Sequence, residues 1–124
     1  MTVALDAWAA LALLLGERGA DRVAKASADA AFLAVNLAEA RQRLAHRSVA
    51  PRPLDAAHAL YSGRVAPFTE AQAYNAARLA APTLGLSLGD RACLALARSL
   101  GASVMTADRA CAGLDVGVTV EVIR

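Results

Sequence analysis

The sequence predicts an α/β fold: a three-layer α/β/α sandwich around a mostly parallel sheet of four or five strands. Three observations favour this class. Short apolar runs alternate with helix-like segments along the chain, the pattern of parallel sheets covered by helices on both faces. The 124 residues suit a single domain over 1–124. Alanine forms about a quarter of the chain, and such small side chains let helices pack close to a sheet.

The first elements are recognisable from composition and breakers. Thr2–Leu5 is a short apolar run, typical of a buried strand. Ala7–Leu15 is rich in Ala and Leu and is followed by Gly16, which predicts a helix and its end. Residues 21–28 predict a second helix after Gly19. Ala31–Val35 is β-like and predicts the second strand.

The middle of the chain is marked by prolines. Asn36 is the expected start of a helix that continues over Leu37–Ala45. A proline-containing loop is expected at Ser48–Pro53, followed by a helix over Leu54–Tyr61. Arg64–Phe68 predicts a short strand, with Pro67 at its end.

The last elements carry the strongest hydrophobic patterns. Glu70–Ala81 predicts a helix that ends at Pro82, and a loop follows over Thr83–Leu88. The remaining predictions are an apolar helix, a strand, a short helical turn and an alternating last strand. They cover Asp90–Leu100, Ser103–Thr106, Asp108–Ala112 and Gly117–Ile123.

Bulk composition excludes several classes of protein. The apolar fraction is 57%, too high for a disordered chain. No apolar run reaches the roughly 20 residues of a membrane span, and the N-terminal apolar stretch lacks a basic leader region. Cys93 and Cys111 fit neither a metal motif nor a redox motif, so we expect buried free thiols in a cytoplasmic protein. The net charge of +2 permits contact with phosphate without indicating it.

Four of the eleven acidic residues are placed unusually. Asp6 and Asp108 follow predicted strands, Glu39 lies shortly after another, and Asp90 begins the apolar helix. In an open α/β sheet, ligands bind beyond the carboxyl ends of the strands. The other seven acids lie in turns or on polar faces.

Helix capping could explain each of these four acids separately. Asn36-x-x-Glu39 and Ser87-x-x-Asp90 resemble capping boxes, and Asp6 and Asp108 could be N-caps. Four caps at one edge would, however, bring like charges together, which is costly unless a cation neutralises them. Oxygen ligands without His or Cys suit Mg²⁺ or Mn²⁺, and carboxylate-held metals are a common device for phosphodiester hydrolysis.

These residues also carry a family resemblance over the whole chain. The segments are Asp6-Ala7, VNLAE at 35–39, LSLGDRACLALA at 86–97 and MTADR at 105–109. Together they resemble a PIN domain of the VapC toxin type.

The resemblance implies a Mg²⁺-dependent endoribonuclease whose metal site is Asp6, Glu39, Asp90 and Asp108. Asp6 and Asp90 would be the most direct ligands, and Thr106 would orient the acidic cluster by hydrogen bonding. It also implies a homodimer, an RNA substrate and a small antitoxin that neutralises the protein. We expect Mn²⁺ to substitute for Mg²⁺.

Two positions depart from the family pattern. Trp8 stands where the family usually has Ser or Thr, and Leu33 where it often has Ser. Both departures concern the reaction rate and the fit of the substrate more than the fold or metal binding. Trp8 could stack on a base or belong to the core or a dimer contact.

Several arginines could contact phosphate, although solvated helix faces explain basic residues equally well. Arg41 and Arg43 lie on the third predicted helix, and Arg91 and Arg109 each follow a candidate site acid. We name these four as possible RNA-binding residues.

Two other functions stay open on the sequence. A PIN-like module with little or no catalysis would bind RNA or protein, and the Trp8 and Leu33 departures motivate it. A receiver-type signalling domain has a similar length and an acidic pocket. It should carry paired acids after the first strand and a Lys after the last, whereas Asp6 is single and Lys25 is the only lysine.

Overall fold

A five-stranded parallel sheet forms the centre of the molecule. The computed structural model describes residues 3–47, 65–79 and 85–124. Within them the strand order is β3-β2-β1-β4-β5 and every pairing is parallel. The strands are β1 Val3–Leu5, β2 Ala30–Leu33, β3 Val65–Ala66, β4 Ser103–Thr106 and β5 Val120–Val122.

Helices cover both faces of the sheet. The α-helices of the described residues are α1 Ala7–Leu15, α2 Ala20–Ala26, α3 Ala34–His46, α4 Glu70–Arg78 and α5 Leu88–Leu100, with 3₁₀ turns at Ser27–Asp29 and Arg109–Cys111. Successive residues of a strand point to opposite faces, so the sheet has two separate apolar cores. Val3 and Leu5 pack with α1, α2 and α3, whereas Ala4 packs with α4 and α5.

The strand order places β1 at the point where the chain reverses its direction across the sheet. From β1 the chain proceeds outward through β2 to β3, and then returns to the other side of β1 to form β4 and β5. Leu5 is in register with both Phe32 and Met105. Ligands of open α/β sheets bind beyond the carboxyl ends of the strands at such a switch point. The residues that follow β1 and β4 therefore meet at the expected place for a site.

The predicted fold class is confirmed, and the differences concern element ends. The second strand ends at Leu33, two residues before the predicted end, because α3 already begins at Ala34. The last strand is Val120–Val122 rather than residues 117–123, because this edge strand has only β4 as a partner. The predicted loop at 48–53 and helix at 54–61 lie outside the described residues.

The helices of the described residues lie close to their predicted positions. The Ser87–Asp90 capping box exists, but it starts α5 at Leu88 instead of Asp90. The second helix spans Ala20–Ala26, after which residues 27–29 tighten into a 3₁₀ turn. Along the described residues, no helix has the length and apolar character that crossing a membrane requires.

Candidate active site

Asp6 lies directly after β1 and is the most buried of the four candidate acids. The residue is 3% exposed. One carboxylate oxygen accepts a hydrogen bond from the backbone N–H of Ala9 at 2.8 Å, which makes Asp6 the N-cap of α1. The expectation that Asp6 caps a helix is confirmed. The cap accounts for one oxygen only.

Thr106, the last residue of β4, holds the other oxygen of Asp6. Its hydroxyl donates a hydrogen bond to Asp6 Oδ2, and it accepts one from the backbone N–H of Asp108 at 2.9 Å. The Thr106 side chain is fully buried. One hydroxyl therefore connects the ends of the two central strands.

Asp108 lies beyond β4 and caps the 3₁₀ turn that follows. Its Oδ1 accepts a hydrogen bond from the backbone N–H of Ala110 at 3.0 Å. The Oδ2 atom has no hydrogen bond to any residue that the structure describes. Asp108 thus keeps one carboxylate oxygen for another partner.

Asp90 lies in the first turn of α5, the helix that leads back across the sheet to β4. Its Oδ2 accepts a hydrogen bond from the backbone N–H of Ser87 at 3.2 Å, and the Ser87 hydroxyl accepts one from Asp90 N. Since α5 runs antiparallel to the strands it covers, its N-terminus lies at their carboxyl ends. The partial positive charge of a helix N-terminus favours a carboxylate there.

Glu39 belongs to α3 and is held against α5 by Asn36. The Asn36 amide donates to Glu39 Oε1 at 3.0 Å and to the carbonyl oxygen of Gly89 at 3.1 Å. Asn36 is 1% exposed. The expectation that Asn36 starts the helix with a capping box is wrong, because Asn36 lies inside α3 and the N-cap position is Leu33, which has no side-chain cap.

Gly89 provides the space in which the Glu39 carboxylate sits. A Cβ atom at Gly89 would overlap both Glu39 carboxylate oxygens and the carbon between them. A residue with any side chain at this position would therefore displace Glu39.

Sequence reasoning missed the roles of both Asn36 and Gly89. The spacing of Asn36 and Glu39 was visible as a possible capping box. The contact of Asn36 with Gly89 joins positions 53 residues apart, so no local pattern could have indicated it.

Electrostatics couple the four acids. Burial raises the pKa of Asp6 from its usual value of 3.8 to about 7, and the charges of Asp90 and Asp108 act in the same direction, while the bonds from Thr106 and Ala9 oppose the rise. Burial also raises the pKa of Glu39, with a further contribution from Asp90. Asp90 thus interacts with buried Asp6 and with half-buried Glu39, and Asp108 interacts with Asp6, so like charges connect the four acids.

The donor set matches a hard divalent cation in chemistry. Glu39 Oε2, Asp90 Oδ1 and Asp108 Oδ2 each lack a hydrogen bond to the described residues. No described basic side chain forms an ion pair with any of the four acids. Carboxylates are the ligands that Mg²⁺ and Mn²⁺ take in proteins. Within the described part, however, no three His, Cys, Asp or Glu side chains are arranged so that they could already hold a metal ion together.

The four candidate arginines have different surroundings. Arg43 lies on α3 one turn after Glu39, and its guanidinium carbon is 4.0 Å from the centre of the Trp8 ring. Arg41 and Arg91 are half-buried and Arg109 is exposed. The Nε atom of Arg91 is buried without a hydrogen bond to a described residue. Only Arg43 is shown to interact electrostatically with a candidate site acid, Glu39.

The two departures from the family pattern occupy different places. Leu33 is fully buried in the core on the α4 and α5 side of the sheet. Trp8 is half-buried, packs at the edge of the core on the α1 side, and contacts Arg43.

Comparison with known proteins agrees with this geometry. The family model of the PIN domain matches residues 3–116. No curated protein matches the sequence.

Three solved structures resemble the chain over nearly its full length. A toxin–antitoxin complex from Klebsiella pneumoniae has a TM-score of 0.76 at 19% identity, covering 99% of this chain and 98% of the other. VapBC2 from Rickettsia felis, bound to a promoter DNA fragment, has a TM-score of 0.71 at 13% identity, covering 98% of each chain. Mycobacterium tuberculosis VapC20, a sarcin–ricin-loop-cleaving toxin, has a TM-score of 0.68 at 19% identity, covering 95% of this chain and 99% of the other.

Proposed function

The chain belongs to the PIN domain family, and on that premise we propose that it is a metal-dependent endoribonuclease, the toxin of a toxin–antitoxin pair. The observation that carries the proposal is the electrostatic coupling of four carboxylates. Asp6 and Asp108 follow β1 and β4, Glu39 lies on α3, and Asp90 lies at the start of α5. Like charges held close together in a partly buried site are costly, and a site that gathers them suits a cation and the phosphate it binds.

In this proposal Asp6, Glu39, Asp90 and Asp108 hold Mg²⁺, or Mn²⁺ in its place. Asp6 and Asp90 are the most direct ligands in this proposal, as the family resemblance implies. Asp6 is fixed by two hydrogen bonds, and Asp90 interacts electrostatically with Asp6 and Glu39. When bound, the ion supplies a lowered pKa for a water molecule and a positive charge beside the phosphate oxygens. Thr106 positions Asp6, and Asn36 positions Glu39.

The reaction is hydrolysis of an RNA phosphodiester bond. A water oxygen bonds to phosphorus and the bond from phosphorus to the 3′ oxygen breaks. The proton released by the water passes through the site carboxylates, and the leaving 3′ oxygen ends protonated. The products carry a 5′-phosphate and a 3′-hydroxyl. No nucleophilic side chain is required, in agreement with the inert surroundings of Cys93 and Cys111, both of which are buried.

The structural relatives support the proposed partners. Two of them are described as complexes of a toxin with its antitoxin or of both with promoter DNA, and one as a toxin that cleaves the sarcin–ricin loop. We propose that this chain likewise acts on RNA in the cytoplasm, forms a homodimer and is neutralised by a small antitoxin.

The test is RNA cleavage by purified protein freed of any partner, with Mg²⁺ or Mn²⁺ and with EDTA. Asp6→Asn and Asp90→Asn should abolish cleavage, because each exchanges a carboxylate for a neutral amide of the same shape. Asp21→Asn is the matched control, since Asp21 lies in the first turn of α2 and is exposed.

The outcomes separate the alternatives. Cleavage by the parent and the control alone supports the nuclease, and 5′-phosphate ends support the proposed bond cleavage. Equal cleavage by all variants would reveal a contaminating nuclease and contradict the assigned site. RNA binding without cleavage by the parent would favour the alternative of a binding module.

A further inference from the structure

The Arg43–Trp8 pair lies beside the acidic site and is not required to hold a metal. The guanidinium of Arg43 stacks on the Trp8 ring, 4.0 Å from its centre. Trp8 follows Asp6 by two residues in α1, and Arg43 follows Glu39 by one turn of α3. The pair therefore connects the helices that carry two of the candidate site acids.

A cavity of about 230 Å³ opens next to this pair. Among the residues that the structure describes, it is lined by four residues of α3: Glu39, Gln42, Arg43 and His46. Glu39 is also one of the four candidate site acids, so the cavity borders the place where we propose that phosphate binds. Arg43 is four residues after Glu39, and four residues of helix rise about 6 Å. A single nucleotide could therefore contact both residues.

The lining has the chemistry of a nucleotide pocket. A guanidinium is planar, and unpaired RNA bases stack on arginine planes and on aromatic rings. One face of Arg43 is occupied by Trp8. Stacking on tryptophan also restricts the rotation of the arginine side chain, so its plane is already oriented. Gln42 and His46 supply hydrogen-bonding groups at the edge of the cavity.

We propose that this cavity binds one unpaired RNA base next to the cleaved bond, with the base stacked on the Arg43 plane that Trp8 supports. The proposal rests on the nuclease function above and adds a specificity pocket to it. The stack would be Trp8, Arg43 and base, in that order. A small hydroxyl residue at position 8 could not support the arginine in this way.

The test compares Arg43→Lys, Trp8→Leu and the parent on an oligoribonucleotide that the parent cleaves. Lysine keeps the charge and loses the plane, so Arg43→Lys should raise KM about tenfold and leave kcat nearly unchanged. Trp8→Leu should have a similar effect. Arg98→Lys is the control, because Arg98 lines a separate cavity between α4 and α5.

An abasic nucleotide placed in turn at each position near the cleaved bond locates the base. At one position the abasic nucleotide should raise KM of the parent as much as Arg43→Lys does. At that position it should raise KM of the Arg43→Lys variant little further. Additive losses at every position, or an unchanged KM in both variants, would overturn the proposal.

A binding measurement separates this proposal from the nuclease function. Trp8 is the only tryptophan of the chain and contacts Arg43, which lines the cavity, so its fluorescence reports on changes at Arg43. Short single-stranded oligoribonucleotides should change that emission in the inactive Asp90→Asn variant, and less so when Arg43→Lys is added. A response without cleavage by the parent would retain the pocket and reject the nuclease. RNA cleavage by the parent without any change in Trp8 fluorescence would support the nuclease and reject the pocket.

Discussion

The hydroxyl of Thr106 donates a hydrogen bond to the carboxylate of Asp6, although the two residues are 100 positions apart. The same hydroxyl accepts a hydrogen bond from the backbone N–H of Asp108. Three residues of the candidate site are therefore fixed to one another through one buried oxygen atom. The arrangement explains why a threonine stands at the end of a strand whose other buried residues are apolar.

Replacing Thr106 tests this connection. Thr106→Val keeps the shape but removes both hydrogen bonds, so Asp6 is no longer fixed and Asp108 N loses its acceptor. Loss of such a supporting bond lowers metal affinity or activity by about 10- to 100-fold. We expect kcat/KM to fall by that order and the Mg²⁺ requirement to rise. Thr106→Ser should retain most of the activity. Thr119→Val, at an exposed position, should change neither quantity, and a similar loss there would contradict the assignment.

Asp6 should lower the stability of the metal-free protein at neutral pH. The pKa of Asp6 is about 7 in the folded protein against 3.8 ordinarily, so between these values the folded state binds a proton that the unfolded state releases. The contribution of Asp6 to the free energy of unfolding should therefore fall as pH rises from about 4 to 7, by up to about 4 kcal/mol, and be constant above that range.

Asp6→Asn should flatten that profile, because asparagine does not titrate and still caps a helix. Urea unfolding in EDTA from pH 4 to 8 measures both proteins. At pH 8 the variant should be the more stable of the two, and added Mg²⁺ should stabilise only the parent. Parallel pH profiles would show that Asp6 is not the group responsible.

Gly89→Ala should reduce activity without unfolding the protein. The added methyl group displaces the Glu39 carboxylate, whereas alanine favours a helix over glycine by about 1 kcal/mol. We expect kcat/KM to fall at least tenfold while the midpoint of thermal unfolding changes little. In a Glu39→Ala background the same substitution should cost almost nothing. An equal loss in both backgrounds would mean that Gly89 acts through something other than Glu39.

The two cysteines should be unreactive in the folded protein. Burial raises the pKa of Cys111 to about 12 and that of Cys93 well above its usual range, and both thiols are free and buried. The thiolate is the reactive form. A colorimetric thiol reagent at pH 8 should therefore label neither cysteine until denaturant is added, and then both. Rapid labelling of the native protein would contradict this.

The sequence predicted the sheet, both helical layers and the capping roles of Asp6, Asp108 and the Ser87–Asp90 box. These features depend on local patterns: apolar runs, breakers and the spacing of a cap from its helix. These features could therefore be predicted without any knowledge of contacts between distant segments.

What the sequence left out depends on contacts between distant segments. Val35 favours a strand by its branched side chain, yet α3 begins at Ala34. The contact of Asn36 with Gly89 on α5 accompanies that early start. Likewise, nothing near Arg43 in the sequence indicates that its guanidinium stacks on Trp8. The four site acids themselves were named from their positions, and their role stays a prediction.

The central position of β1 has a consequence for synthesis of the protein. Asp6 emerges early from the ribosome, whereas Thr106 and Asp108 emerge about 100 residues later, and β4 must pair with β1 before these residues meet. A nascent chain that stops short of β4 has no assembled acidic site. If the protein is a nuclease, the ribosome that makes it is not exposed to its activity until translation of the domain is almost finished.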